Sequence, residues 1–359
     1  QETGIDFDNK LEEDSVYNVY SYMNIYTGAG VATGDVNNDG LPDLYFSGNQ
    51  VSGRLYLNQG NLQFTDVTAS AGLINERWGT GVTMVDINQD GWLDIYVWVS
   101  GIGSNEERSN LLYINQQDGT FTEEATAYGL ADSRQVMHAA FLDYDRDNDL
   151  DAFLIINPTD SVFQVDVVKP RKTNGQSSST DVLLKNEGGT FVDVSRDAGI
   201  LIEGQSLGVA VTDINQDNWP DIYISNDFIG NDVLYIYQQD GTFKDEALGY
   251  FKHTSYAGMG NDAADFNSLP AIPYSGTEAT ETSAKLVFCR ALAVPIGVGV
   301  RCWLTTTTMG IKICLLPMAS VATWVIWITS IISKPLTHPW AQLRRNWRRN
   351  RRTCWNWKE

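Results

Sequence analysis

The chain has 359 residues, with 45 Asp and Glu against 25 Lys and Arg and a formal net charge of −20 at pH 7. The charge is unevenly spread: residues 1–267 contain 42 acidic and 13 basic residues, net −29, whereas residues 268–359 contain 3 and 12, net +9. Such acidity argues against nucleic acid or an anionic membrane as a partner of the first part.

Residues 1–27 read as a lead-in segment. From Gly28 onward one unit recurs. It opens on a mostly glycine-containing apolar stretch, GAGVATGD, GTGVTMVD, MHAAFLD and SLGVAVTD in turn. An acidic phrase follows: DVNNDGLPD from Asp35, DINQDGWLD from Asp86, DYDRDNDLD from Asp143 and DINQDNWPD from Asp213. A β-rich apolar run comes next (LYFSG, IYVWV, AFLII, IYISN), then a hairpin signature around a Gly turn, as in RLYLNQGNLQFTDVT. The phrases start 51, 57, 70 and 52 residues apart if a degenerate fifth at Asp265 and Asn267 is included. Four strands per period of this length predict an all-β fold, a β-propeller of four-stranded blades over residues 28–267 that is incomplete in this chain.

Each acidic phrase carries oxygen-bearing side chains at positions 1, 3, 5 and 9, the ligand type a hard cation needs, and Ca²⁺ is the expected ion. The predicted side-chain ligands are Asp35, Asn37, Asp39 and Asp43; Asp86, Asn88, Asp90 and Asp94; Asp143, Asp145, Asp147 and Asp151; and Asp213, Asn215, Asp217 and Asp221. Backbone carbonyls at position 7, of Leu41, Trp92, Asp149 and Trp219, complete the sets. Position 6 must turn sharply and is Gly40, Gly91, Asn148 or Asn218, the residue types that tolerate a left-handed backbone. Position 12 is Phe46, Val97, Leu154 or Ile224, so this is a loop between strands and not an EF-hand, which needs a bidentate Glu there. The alternative is four Asx-rich turns without metal. At binding constants near 10⁻⁴ M, millimolar Ca²⁺ adds about 1.4 kcal/mol per loop, which marks the metal as structural first.

The acidic loop, the Gly-rich strand before it and the trailing L-Y-x-N-x-x-x-G-x-F hairpin together resemble the FG-GAP/VCBS repeat family, which includes integrin α-subunit propellers. The opening TGIDFDNKLEEDSVYNVYSYMNIYTGAGVATGD is similar to bacterial cell-surface VCBS proteins related to cartilage acidic protein (ASPIC/UnbV). The resemblance implies a Ca²⁺-bearing, non-catalytic module at the cell surface or bacterial envelope that binds an extracellular protein or glycan, without naming the ligand. No signal-peptide pattern opens the chain, so it is expected to be a mature form or a fragment.

The longest interval holds a polar insertion, Asn157 to Asp181, read either as a functional loop or as a surface excursion. After residue 267 the character changes. All four cysteines and seven of the eleven tryptophans lie there. Ile313 to Ser333 is uncharged over 21 residues and RRNWRRNRR follows from Arg344, which reads as a membrane anchor. A second reading is a shift of reading frame near Asn267 to Ile272. In the alternative frame Thr305–Thr308 encode only Asn, Asp, His or Tyr, Met309–Gly310 forces Gly, and Lys312–Ile313 gives Asp or Asn, which fits a hidden acidic phrase DYDNDGYKD. The expectation is that residues 268–359 are a frameshifted tail without a native fold.

An enzyme, such as a polysaccharide lyase or hydrolase, needs an acid/base constellation beyond the loops. His138 and His253 stand alone and read as structural; Asn226 and Asp227 in ISNDFIGND resemble a loop of the relatives of cartilage acidic protein, and an Asx turn explains them as well. No nucleophile elbow, phosphate loop or zinc spacing is present.

Overall fold

The computed structural model describes residues 3–158, 170–227, 230–251, 253–254 and 258–263. The degenerate fifth loop at Asp265 and Asn267, the apolar run 313–333 and the whole proposed frameshifted tail lie outside them. Among the described residues no helix is long and apolar enough to cross a membrane.

Among the described residues sixteen strands form four antiparallel sheets, each of four consecutive strands in sequential order. The first holds β1 (Val31–Gly34), β2 (Asp43–Phe46), β3 (Arg54–Asn58) and β4 (Phe64–Asp66). The second holds β5 (Gly79–Val85), β6 (Asp94–Val99), β7 (Leu111–Asn115) and β8 (Phe121–Glu123). The third holds β9 (Val136–Leu142), β10 (Asp151–Ile156), β11 (Val182–Asn186) and β12 (Phe191–Asp193). The fourth holds β13 (Ser206–Thr212), β14 (Asp221–Asn226), β15 (Val233–Tyr237) and β16 (Phe243–Asp245). These are the expected blades, and the first strands pack in succession, β1 on β5, β5 on β9 and β9 on β13.

Stacking of sheet on sheet explains the apolar runs. Strands β6, β10 and β14 are buried at every residue. In β6, Ile95, Val97 and Val99 join a core with Tyr45 and Leu55 of the first blade, while Tyr96 and Trp98 join one with Leu154 and Ile156 of the third. Period-two alternation thus assigns one strand to two cores, so both faces must be apolar. The third core unites Phe153 and Ile155 with Ile222 and Ile224 of the fourth blade.

The lead-in is part of this packing. Phe7 stacks on Phe46 with ring centroids 5.1 Å apart, the Tyr56 hydroxyl donates to Asp6 Oδ1 at 2.8 Å, and the Phe64 N–H donates to the Thr3 carbonyl. Further on, Tyr22 and Ile25 bury Trp78, and Tyr17 stacks on the same indole. The described end of the insertion, residues 170–181, hydrogen-bonds to residues 201–204 through Lys172, Gly175 and Ser179.

The first strands carry Gly81, His138 and Gly208 at equivalent positions, and Gly30 stands at the same place one residue before β1, its carbonyl accepting the Ser47 N–H. A Cβ at Gly81 would lie 2.1 Å from Trp98 Nε1, so that indole occupies the space a side chain would take. His138 stacks on Trp98, 5.3 Å between centroids, and burial lowers its pKa. It is a packing residue, as expected; His253 is exposed.

Candidate functional site

All four acidic phrases join the first strand of a blade to the second, at the same end of each blade. Their backbones share a feature the sequence reading caught only in part. Position 6 is left-handed as expected, at φ 85° for Gly40, 87° for Gly91, 72° for Asn148 and 68° for Asn218. Position 4 is left-handed too, at 55° for Asn38, 57° for Gln89, 62° for Arg146 and 63° for Gln216. Two such residues with one between them coil the loop tightly and turn successive N–H groups onto its carboxylates.

In loops one, two and four that inward hydrogen bonding is the same. Asp35, Asp86 and Asp213 accept the N–H of position 5 on Oδ1 and that of position 6 on Oδ2, at 2.7–3.1 Å. Asn37, Asn88 and Asn215 accept the position 5 N–H and donate from Nδ2 to the Asp of position 5. Asp39, Asp90 and Asp217 accept the N–H of Leu41, Trp92 and Trp219. Asp90 Oδ2 and Asp217 Oδ2 accept a second bond, from Gln117 and Gln239, and the other oxygens named here keep a lone pair, so these bonds shape the loop and leave room for coordination.

Position 9 is the best-buried member. Asp43, Asp94, Asp151 and Asp221 are all 0% exposed. Each opens the second strand and accepts two backbone N–H groups: from position 2 of its own loop (Val36, Ile87, Tyr144, Ile214) and from the last residue of the third strand (Asn58, Asn115, Asn186, Tyr237). This carboxylate therefore ties the second strand to the loop and to the third strand. Burial pushes the Asp94 carboxyl up to about 6 and that of Asp151 to about 7, partly offset by those N–H groups; Asp43 and Asp221 are raised for the same reason.

Loop three differs. It has aspartate at all five odd positions, and Asp143, Asp145 and Asp151 each offer an oxygen within 4.8 Å of the others. Among the described residues this is the one group of three acidic side chains so placed. Asp143 Oδ1, Asp145 Oδ1 and Asp149 Oδ1 are buried without a hydrogen-bond partner. Three orphaned anionic oxygens in one loop are what a divalent cation satisfies, so the residues present fit the expected ion. Asp149, expected to offer only its carbonyl, also brings a carboxyl group, which burial and the neighbouring Asp147 raise to about 6.

Further residues were missed by the sequence reading. Position 4 links the loops: Asn38 donates to the Gly91 carbonyl at 3.3 Å, Gln89 to that of Asn148 at 2.7 Å, and the Arg146 guanidinium lies 4.2 Å from the centroid of Trp219. Asn115 Nδ2 donates both to Leu93 in its own loop and to Val36 in the first. The signal was available, since position 4 is Asn, Gln or Arg throughout and LYLN, LYIN and LLKN share a terminal Asn.

At the opposite end of the blades a second buried set stands. Asn110, Asp181 and Asp232, one residue before the third strand, accept the N–H of Val99, Ile156 and Asn226 at the end of the second. Asn226 also accepts the Gln205 N–H, so its part is structural. A groove of about 590 Å³ opens at this end, lined by Glu12, Tyr17, Gln50, Glu76 and Trp78 among others.

Residues 35–97, 99–154 and 213–268 match the family described as FG-GAP-like repeat. The chain thus carries FG-GAP-like repeats. It is 22% identical over 253 residues to cartilage acidic protein 1 of Mus musculus, covering 66% of this chain and 34% of that protein. With cartilage acidic protein 1 of Xenopus tropicalis it is 24% identical over 246 residues, 67% of this chain and 35% of the relative. With integrin alpha-8 of Gallus gallus it is 30% identical over 134 residues, 33% of this chain and 13% of the integrin. The chain thus spans about a third of the cartilage acidic proteins it matches. A solved Agrocybe aegerita lectin specific for non-reducing terminal N-acetylglucosamine aligns at a TM-score of 0.33 and 15% identity, over 59% of this chain and 50% of that one.

Proposed function

We propose that this chain is a calcium-stabilised, non-catalytic segment of a β-propeller that works outside the cell, at a surface or envelope, as a binding or adhesion module for a protein or glycan. The observation that carries the metal part is the convergence of Asp143, Asp145 and Asp151 within 4.8 Å, with three buried carboxylate oxygens unpaired beside them. The equivalent loops repeat the ligand types at the same spacing. A bound Ca²⁺ supplies two positive charges to each cluster, which relieves the mutual repulsion of its carboxylates. The similarity to an integrin α chain supports the adhesion part, and the acidity of residues 1–267 disfavours a nucleic-acid partner. The non-catalytic reading is supported by the buried acids of raised pKa: Asp94, Asp151 and Asp181 all bond to backbone N–H groups that close a blade.

Thermal melting in 1 mM CaCl₂ and in EGTA tests the metal. A midpoint at least several degrees higher in calcium is expected, from about 1.4 kcal/mol per occupied loop; superimposable curves would refute it. A glycan array followed by a reducing-end assay on every hit separates a binder from a lyase or hydrolase, and turnover of a bound glycan would overturn the non-catalytic reading.

A further inference from the structure

The third blade departs from the others at one residue of its third strand. Leu57, Ile114 and Ile236 occupy the position before the strand's last residue in blades one, two and four; blade three has Lys185. Its Nζ reaches into the acidic loop, where it pairs with Asp145 Oδ2 and lies 3.5 Å from Asp147 Oδ2. The side chain is 27% exposed, so the stem is held against the blade while the ammonium faces carboxylates. The same loop has exchanged the Asn of position 3 for Asp145 and added Asp149 at position 7. Extra negative charge and an internal positive charge thus occur together, in the one loop that has both.

We propose that Lys185 is a tethered counter-ion of the third loop that competes with the divalent cation, making this loop the weakest calcium site of the four. The inference rests on the reading of the loops as calcium sites. An ammonium paired with Asp145 Oδ2 and close to Asp147 repels an incoming ion and cancels part of the negative charge that would attract it. For calcium to bind, the lysine must give up both ion pairs and swing to solvent, which its four-carbon stem and partial exposure allow. Without calcium, the same ammonium holds together a loop whose Asp143, Asp145 and Asp149 each leave one oxygen unpaired. Among the described residues no ammonium or guanidinium forms an ion pair with the carboxylates of loops one, two or four, although the Arg146 charge helps to lower the Asp217 carboxyl in loop four, so these loops depend more on the ion.

The test is calcium titration calorimetry on the full chain after EGTA treatment and buffer exchange, at one ionic strength, with a thermal melt beside each titration. The variants are Lys185→Ile, the residue of blades two and four, Lys185→Gln, a milder neutral change, and Lys185→Arg, which keeps the charge. Wild type and Lys185→Arg are expected to bind three ions in one class and a fourth at least tenfold more weakly. The neutral variants should bind the fourth at least as tightly as the rest. They should also melt lower than wild type in EGTA and gain more from calcium, a crossing that loss of a packing contact does not produce. Lys185→Gln decides the matter if Lys185→Ile does not fold. Equal stoichiometry and affinity in wild type and neutral variants would overturn the role of Lys185 while leaving the calcium sites standing. No binding heat and no calcium-dependent melt in any protein would overturn both.

Discussion

The two ends of each blade solve one problem with different chemistry. At the loop end an aspartate opens the second strand, and its two oxygens hold the N–H of the loop and of the third strand. At the far end the third strand is preceded by Asn110, Asp181 or Asp232, which holds the N–H that ends the second strand. The loop-end residue is Asp in all four blades. The far-end residue is Gly53, Asn110, Asp181 or Asp232, so an amide serves as well as a carboxylate and the first blade does without either. A backbone N–H needs only an oxygen. Invariance of charge at one end, where hydrogen bonding alone does not require it, supports the proposal that the loop end holds a cation.

The sharpest way to break that contrast is to delete one acceptor from each end of the same blade. Asp94→Ala orphans the buried N–H groups of Ile87 and Asn115; Asn110→Ala orphans that of Val99 and removes the Asn110 Nδ2 donor from the Tyr96 hydroxyl. Each is expected to cost about 3 kcal/mol in EGTA, since a lost partner for a buried polar group costs roughly 1–3 kcal/mol. In calcium the cost of Asp94→Ala should grow by about a further 1 kcal/mol or more, because a ligand is lost as well, and that of Asn110→Ala should not change. Urea unfolding in both conditions measures this. Equal increments in the two variants would remove Asp94 from the ligand set.

The contrast also explains what the sequence discloses. Loop register is readable because ligand types at alternate positions carry their chemistry in side chains. The blades are readable because a strand buried on both faces, such as IYVWV, cannot alternate. The latch made by Asp43 and its equivalents was hidden for the opposite reason: its partners are main-chain N–H groups, which any residue supplies. Tyr237 shows this, since it replaces the terminal Asn and still donates its N–H to Asp221. The lead-in was hidden because its contacts, Phe7 on Phe46 and Tyr17 on Trp78, follow no period. Asp181 reads as the end of a polar insertion; only the fold buries it.

Titration separates the two ends with a smaller effect. Burial raises the Asp181 carboxyl to about 7, against the lowering by the Ile156 N–H, the Ser206 hydroxyl and the Arg171 charge. Its folded value thus lies above the unfolded one, near 3.9. The protonated form stabilises fully below about pH 4, and that contribution is lost as pH rises through about 7. If calcium holds the loop carboxylates ionised, buried His138, whose pKa is lowered, still adds a slope of opposite sign that replacing Asp181 leaves in place, so the change in slope between wild type and variant belongs to Asp181. Asp181→Asn places there the side chain that blade two already uses. It should flatten the slope and leave the chain more stable at pH 8 by about 1–3 kcal/mol. Melts from pH 5 to 8 in calcium test this, and an undiminished slope in the variant would show that the far end carries no titrating strain.

The smallest effect concerns how the loop end joins one blade to the next. Asn58 and Asn115 end equivalent strands, and each donates Nδ2 to the carbonyl before the latch aspartate, Pro42 at 2.9 Å and Leu93 at 3.1 Å. Asn115 alone of the two also reaches Val36 of the preceding blade, at 2.8 Å. Asn58→Ala should therefore cost about 1 kcal/mol and Asn115→Ala about 2, the difference being one buried hydrogen bond between blades. Both side chains accept a local N–H as well, from Gly60 and Gln117, so that loss cancels in the comparison. Asn115 is 3% exposed, and water does not replace the bond to Val36. Because the bonds lie outside the ligand sets, the difference should persist in EGTA. A difference present only in calcium would mean that the ion, and not this amide, sets the spacing between the first two blades.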